Sequence, residues 1–174
     1  MEALEKIERI MHIMRLEDRK WAALGSVLIL ADQIVKFLVC RNLSQSDSVV
    51  IIPHILNFIY VKNTGAAFSM FSDKTLVLGI ISIIFCILVL LFWYFKKPSH
   101  PLLKFALTLL FAGALGNAID RILRGFVVDF IETSFIKFPV FNVADICITI
   151  GTVFLMVYLL FFDKDGHKNG ETVN

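Results

Sequence analysis

The sequence predicts an all-α membrane protein with four transmembrane helices. Three observations carry that expectation. Of the 174 residues, 57 % are hydrophobic and only 18 % are charged, whereas a soluble domain is closer to half apolar and about a quarter charged. Four stretches come close to or reach the roughly 20 apolar residues that a helix needs to cross the hydrocarbon layer. Four such stretches in one short chain also leave no polar surface that could enclose them as core helices. The formal net charge of +2 is small and dispersed, which excludes a nucleic-acid footprint.

Taken in order, residues 1–20, MEALEKIERIMHIMRLEDRK, form a basic arm. Leu4, Ile7, Ile10/Met11 and Met14 recur at helical spacing, so the arm is expected to lie as an amphipathic helix on the inner membrane surface, the alternatives being a frayed arm or a partner-binding helix. The first span is WAALGSVLILADQIVKFLVC, 21–40. Asp32 and Lys36 interrupt it and the arm before it is long, so it is not a cleavable signal peptide. The loop 41–74 holds DSVVIIPHILNFIYVKNTGAAFSMF, rich in Val, Ile, Phe and Tyr, with turn signals at Pro53 and Asn63-Thr64-Gly65. It predicts short strands at the outer interface. The second span, 75–95, carries no charge, and the third runs over 102–119. The loop 120–142 contains the strand-like GFVVDFIE, and the fourth span covers about 143–162. The polar tail 163–174, DKDGHKNGETVN, is expected to be disordered. The membrane domain is thus 21–162, flanked by arm and tail.

Lys and Arg collect on cytoplasmic flanks. Here they crowd the arm (Lys6, Arg9, Arg15, Arg19, Lys20), the connection after the second span (Lys96, Lys97, Lys104) and the tail (Lys164, Lys168). Both termini are expected inside and both long loops outside.

A charge within a span costs about 2.5–3.5 kcal/mol on insertion scales, so each one needs a reason. Asp32 and Lys36 stand at i and i+4 with the acid first, the favourable order for a helical ion pair, and are expected to lock the bundle. Gly113, Asn117 and Arg121 follow at four-residue steps in the third span, near one helix face. Gly113 admits close approach of another backbone. Asn117 and Arg121 form a polar stripe climbing towards the outer surface. Asp120 points elsewhere, as a local partner.

Asn142 and Asp145 have the spacing of an N-cap and a first-turn acid, so Asp145 alone could simply favour the helix dipole. Asp129 changes that reading. It sits between Val128 and Phe130, where a lone carboxylate is poorly solvated. The loop that carries it leaves the outer end of the third span and returns to the outer end of the fourth, so topology holds both acids at one membrane face. Two carboxylates brought together cannot easily both ionise and share a proton. One can then take a proton from water while the other donates to a carbonyl oxygen, which is apparatus for peptide hydrolysis. Other chemistries lack a signature. No GxSxG or Ser-x-x-Lys occurs. Cys40, Cys86 and Cys147 are widely spaced, with no metal-ligand pattern, and no cofactor is expected.

The motifs together resemble a family. D-Q-I-V-K in the first span, N-T-G-A-A-F in the first outer loop, G-N-A-I-D-R closing the third span, V-V-D-F in the second outer loop and F-N-V-A-D opening the fourth occur in order over about 21–162. This pattern resembles lipoprotein signal peptidase (signal peptidase II), the bacterial membrane aspartyl proteases. The resemblance implies four transmembrane helices with a small extracytoplasmic β-cradle and a flexible loop helix over the active site. It implies Asp129 and Asp145 as catalytic dyad, Asn63, Gly65, Asn117, Arg121 and Asn142 lining or bracing the site, and Asp32, Lys36 and Gly113 supporting the bundle. It further implies a diacylglyceryl-modified prolipoprotein substrate cut just before the lipidated cysteine, a bacterial inner-membrane location, and block by the cyclic peptide globomycin. The N-terminal arm is longer than the family pattern. Asp145, at a helix N-terminus, is expected to be the ionised base, and Asp129 the protonated partner.

Two other readings compete. A small proton or ion transporter could use Asp32, Lys36, Asn117 and Asp145, but a path needs polar residues through the whole thickness and the second span has none. An inactive four-helix scaffold leaves the acid within VVDF without a reason. The orientation is directly testable: single cysteines placed near residue 60 are expected to label from outside intact cells, and labelling only after lysis would invert the topology.

Overall fold

The computed structural model describes residues 16–65 and 74–163. Residues 1–15 of the basic arm, residues 66–73 of the first long loop and the tail beyond Asp163 lie outside the described residues, and the expected loop helix is not among the described elements.

Four helices are long and apolar enough to cross a membrane. They are α1 (Leu16–Asn42), α2 (Thr75–Lys96), α3 (Pro101–Arg124) and α4 (Val143–Phe161). Helix α1 starts within the expected arm. Helix α3 runs past the expected end of its span, through Asp120 and Arg121; Asp120 is buried there and paired with Lys36 and Arg124 rather than left to lipid. Pro101 opens α3 and Gly125 closes it at a φ of +77°, a left-handed conformation that favours glycine.

Helix α3 is the centre of the bundle and packs against the other three. Small residues make that possible. A Cβ on Gly113 would collide with the Ala144 carbonyl oxygen and lie 2.7 Å from Ile148 Cγ1. One on Gly151 would lie 3.0 Å from Leu110. The backbones of α3 and α4 therefore meet where lipid supplies no hydrophobic drive and only close packing holds helices together. The outward faces are apolar: Leu30, Ile34, Leu76, Ile80, Leu88, Leu160 and Phe161 are all exposed, as lipid-facing residues should be.

A three-stranded antiparallel sheet in the order β1 (Ser48–Ile52), β2 (Leu56–Asn63), β3 (Val127–Thr133) covers one end of the bundle. Strands β1 and β2 form the hairpin expected around Pro53. The sheet rests on the end of α1 through Val39, Val128, Phe130 and Ile131, joined by Val35, Phe58, Tyr60 and Phe141. Phe58 meets Phe130 edge to face at 5.3 Å. Pairing puts Val61 opposite Asp129 and Asn63 opposite Val127. Past β3 the chain turns back, and Phe141 bonds to the backbone of Ile131 in both directions, at 2.8 and 3.1 Å. That return delivers Asn142, and with it the start of α4, to the flank of Asp129.

The α3–α4 contact generates a prediction. Gly113→Leu is expected to force the two backbones apart and destabilise the fold by about 1–3 kcal/mol, the usual cost of overpacking. Thermal unfolding in detergent checks it; an unchanged Tm would mean the helices do not meet there.

Candidate active site

Asp129 sits midway along β3 and is 2 % exposed. Asp145 occupies the first turn of α4 and is half-buried. Asn142 joins them. Its side chain caps α4, accepting from the Asp145 backbone N–H at 2.9 Å, while Asp145 Oδ2 accepts from the Asn142 N–H at 3.1 Å. This is the reciprocal capping box expected of the spacing. The Asn142 Nδ2 donates to Asp129 Oδ1 at 2.7 Å. One residue therefore hydrogen-bonds both acids, so the capping reading and the paired-acid reading hold together.

The remaining carboxylate oxygens are also met. Asn63 Nδ2, from the neighbouring strand, donates to Asp129 Oδ2 at 2.8 Å. The Gly65 N–H holds the other end of that amide, donating to Asn63 Oδ1 at 2.9 Å. Asn117 Nδ2, from α3, donates to Asp145 Oδ1 at 2.8 Å. Each acid thus receives two N–H donors, an arrangement suited to holding a carboxylate in one rotamer.

Beneath this layer lies a buried ionic one. Lys36 Nζ is fully buried and lies 2.9 Å from Asp32, 2.9 Å from Asp120 and 3.0 Å from Asn117 Oδ1. Asp120 in turn meets Arg124 at 2.5 Å and accepts from the Val128 N–H at 3.2 Å. Asp32 Oδ1 accepts from the Ala144 N–H at 3.0 Å, inside the first turn of α4. Gln33 Nε2 ties α1 to the Gly116 carbonyl at 3.1 Å.

The structure therefore brings Asp129, Asp145, Asn63, Gly65, Asn117 and Asn142 into one network, with Asp32 and Lys36 joined to it from below. Gly113 stands outside the network but lets Ala144, next to Asp145, approach α3. Arg121 flanks the network: its charge faces Asp145, Asp129 and Asp120, and its buried Nε has no hydrogen-bond partner among the described residues. Two participants were not anticipated. Asp120 does pair locally with Arg124, as its four-residue spacing allowed, but it also anchors Lys36 and β3. Gln33 stands within the D-Q-I-V-K string, beside Asp32, but as a neutral residue it was given no role of its own.

Burial pushes the Asp129 carboxyl up to about 6, against the amide donors; the negative charge of Asp145 adds to the rise. A carboxyl that holds its proton up to about pH 6 thus lies beside a second acid whose oxygens are held by N–H donors. Such a pair can supply one proton and accept another.

The comparisons with known proteins agree with this architecture. The family described as Signal peptidase (SPase) II matches residues 24–161. A lipoprotein signal peptidase of Lactococcus lactis subsp. lactis (strain IL1403) is 44 % identical over 133 residues, covering 76 % of this chain and 87 % of its own. One from Staphylococcus aureus (strain JH9) is 42 % identical over 136 residues, covering 76 % and 83 %. A bacterial membrane enzyme solved by the in meso method at 2.3 Å resolution shares the fold with a TM-score of 0.78 and 36 % identity, over 89 % of this chain and 94 % of that one. On the extent of these matches, this four-helix membrane protein belongs to the signal peptidase II family and is a protease.

Proposed function

We propose that this protein is an aspartic endopeptidase that removes the signal peptide from diacylglyceryl-modified prolipoproteins, cutting just before the lipidated cysteine. The observation that carries the reading is the hydrogen bonding of Asp129 and Asp145 to a single residue, Asn142, with one carboxyl held protonated towards neutral pH. Water lying between the acids gives a proton to Asp145 as its oxygen attacks the scissile carbonyl. Asp129 donates its proton to the carbonyl oxygen. The tetrahedral diol then collapses as its C–N bond breaks: the leaving amine takes the proton held by Asp145, and one diol hydroxyl returns its proton to Asp129, restoring the pair. No side-chain nucleophile and no covalent intermediate are required.

The membrane setting suits this substrate. A diacylated peptide stays in the bilayer and reaches an interfacial site sideways, between spans. Clustered Lys and Arg at the bundle end away from the sheet support a reading with both termini in the cytoplasm and the site at the outer face of the bacterial inner membrane. Arg121, with its buried Nε facing the acids, is suited to a substrate carbonyl. Asn63, Gly65, Asn117 and Asn142 brace the dyad. A cyclic peptide such as globomycin, presenting a non-cleavable chain to the acids, is the expected class of inhibitor.

Asp129→Asn and Asp145→Asn each remove half of the proton exchange while keeping shape. Each is expected to lower kcat on a diacylated prolipoprotein by at least about 100-fold, in the range of general acid–base catalysis, with normal membrane insertion. Full activity in Asp145→Asn would return that residue to helix capping.

A pH dependence follows from Asp129. It must be protonated to donate, so kcat/KM of the free enzyme is expected to fall as pH rises through about 6. Asp145→Asn deletes the negative neighbour, so the Asp129 titration should move to lower pH, as read by its carboxyl infrared band. An unmoved titration in that variant would show that the two acids do not sense one another. The same linkage has a stability sign. Asp129 holds its proton more tightly folded than unfolded, so its contribution is full below about 4 and is lost as pH rises through the folded value.

A further inference from the structure

The two carboxylates Asp32 and Asp120 already balance Lys36 and Arg124, yet Lys36 directs its third N–H out of the ion cluster to Asn117 Oδ1 at 3.0 Å. An ammonium only donates, so whatever it meets on that amide must be the oxygen. The Asn117 NH₂ is then turned towards α4, where it meets Asp145 Oδ1 at 2.8 Å. Asn142 Nδ2 also reaches Asn117 Oδ1, at 3.2 Å, but that group lies closer to Asp129, at 2.7 Å. A flipped Asn117 would set its NH₂ against an ammonium and an amide NH₂, and its oxygen against a carboxylate. Among the described residues, Lys36 is thus the charged donor that selects the amide's orientation.

We propose that Lys36 is a positioning residue for the acid pair: by fixing the Asn117 amide it holds an N–H donor on Asp145, and so sets the rotamer of the acid that takes the proton from water. The proposal rests on the dyad reading above. Its partner Asp32 acts on the same helix end through the Ala144 N–H. Gly116 makes room for it, since a Cβ there would lie 2.8 Å from Asp32 Oδ2. The ion pair within the first span is therefore part of the site's alignment as well as of the bundle's cohesion.

The test must separate alignment from folding, because Lys36→Met alone strands buried carboxylates. Asp32→Asn/Lys36→Met removes ammonium and counter-charge together, keeps an acceptor for the Ala144 N–H and leaves Asp120 with Arg124. With diacylated prolipoprotein as substrate, this variant is expected to lose roughly 10- to 100-fold in kcat, as when other outer-layer supports are removed, with KM changed by less than about 2-fold. If Lys36 acts through Asn117, adding the same changes to Asn117→Leu lowers kcat by no more than about 2-fold. In full-length protein labelled with ¹⁵N-asparagine, the Asn117 side-chain NH₂ signals are expected to be sharp and distinct in the wild type, and broadened by amide flipping in the double variant. Undiminished kcat, equal fold losses in both backgrounds, or an unmoved Asn117 signal would each overturn the proposal. Activity surviving in Asp129→Asn or Asp145→Asn would instead overturn the dyad; the amide signal would still judge the hold of Lys36 on Asn117.

Discussion

Two like-charged side chains repel, and removing them from water makes the repulsion stronger. Holding Asp129 and Asp145 beside one another therefore requires donors that cannot move away. Asn142 meets that requirement with three groups at once: its backbone N–H on Asp145, its side-chain NH₂ on Asp129 and its side-chain oxygen on the first turn of α4. The residue can do so because Phe141 bonds to β3 immediately before it and α4 begins immediately after. The capping of one helix and the meeting of two acids are a single structural event.

The layer beneath keeps that event rigid. Lys36, Asp32 and Asp120 are all within 1 % of full burial. Buried ions are expensive to desolvate, and a paired cluster is weak evidence for stability by itself. Here each member also reaches something directional: Lys36 the Asn117 oxygen, Asp32 the N–H of Ala144, Asp120 the N–H of Val128. Three elements, α1, α3 and the start of α4, are brought into alignment by charge and hydrogen bonds. Glycines at 113 and 116 let the backbones come close enough for short side chains to span the gap. In a bilayer, where apolar surface does not drive helices together, this is an effective way to fix relative positions.

The arrangement also separates the environments of the two acids. Asp129 is enclosed by the sheet core, with Val128 and Phe130 on either side buried to 0 % and 1 % exposure. Asp145 stands at the rim, at the positive end of a helix. An inner acid and an outer acid differing in this way are what the proposed hydrolysis asks for: one group holding a proton and one ready to accept it.

Much of this was legible along the chain, for reasons of solvent. Composition determined the membrane class and the four spans, since a helix in lipid must be apolar for its whole length. Any acid, amide or cation inside a span is then conspicuous, so Asp32, Lys36, Asn117 and Asp145 stood out without coordinates, as did Asp129 in its apolar loop strand. Spacing determined the local pairs: Asp32 with Lys36, Asn142 with Asp145. Only the tertiary structure decided which local pairs meet. Asp120 read only as a local partner, and it is also the floor beneath β3. Gln33 carries no charge to mark it, and Lys36 looked satisfied by Asp32 alone. Hydrogen bonds between α1, α3, β3 and α4 depend on where helix axes cross and where glycine lets them touch, and sequence separation does not encode those distances.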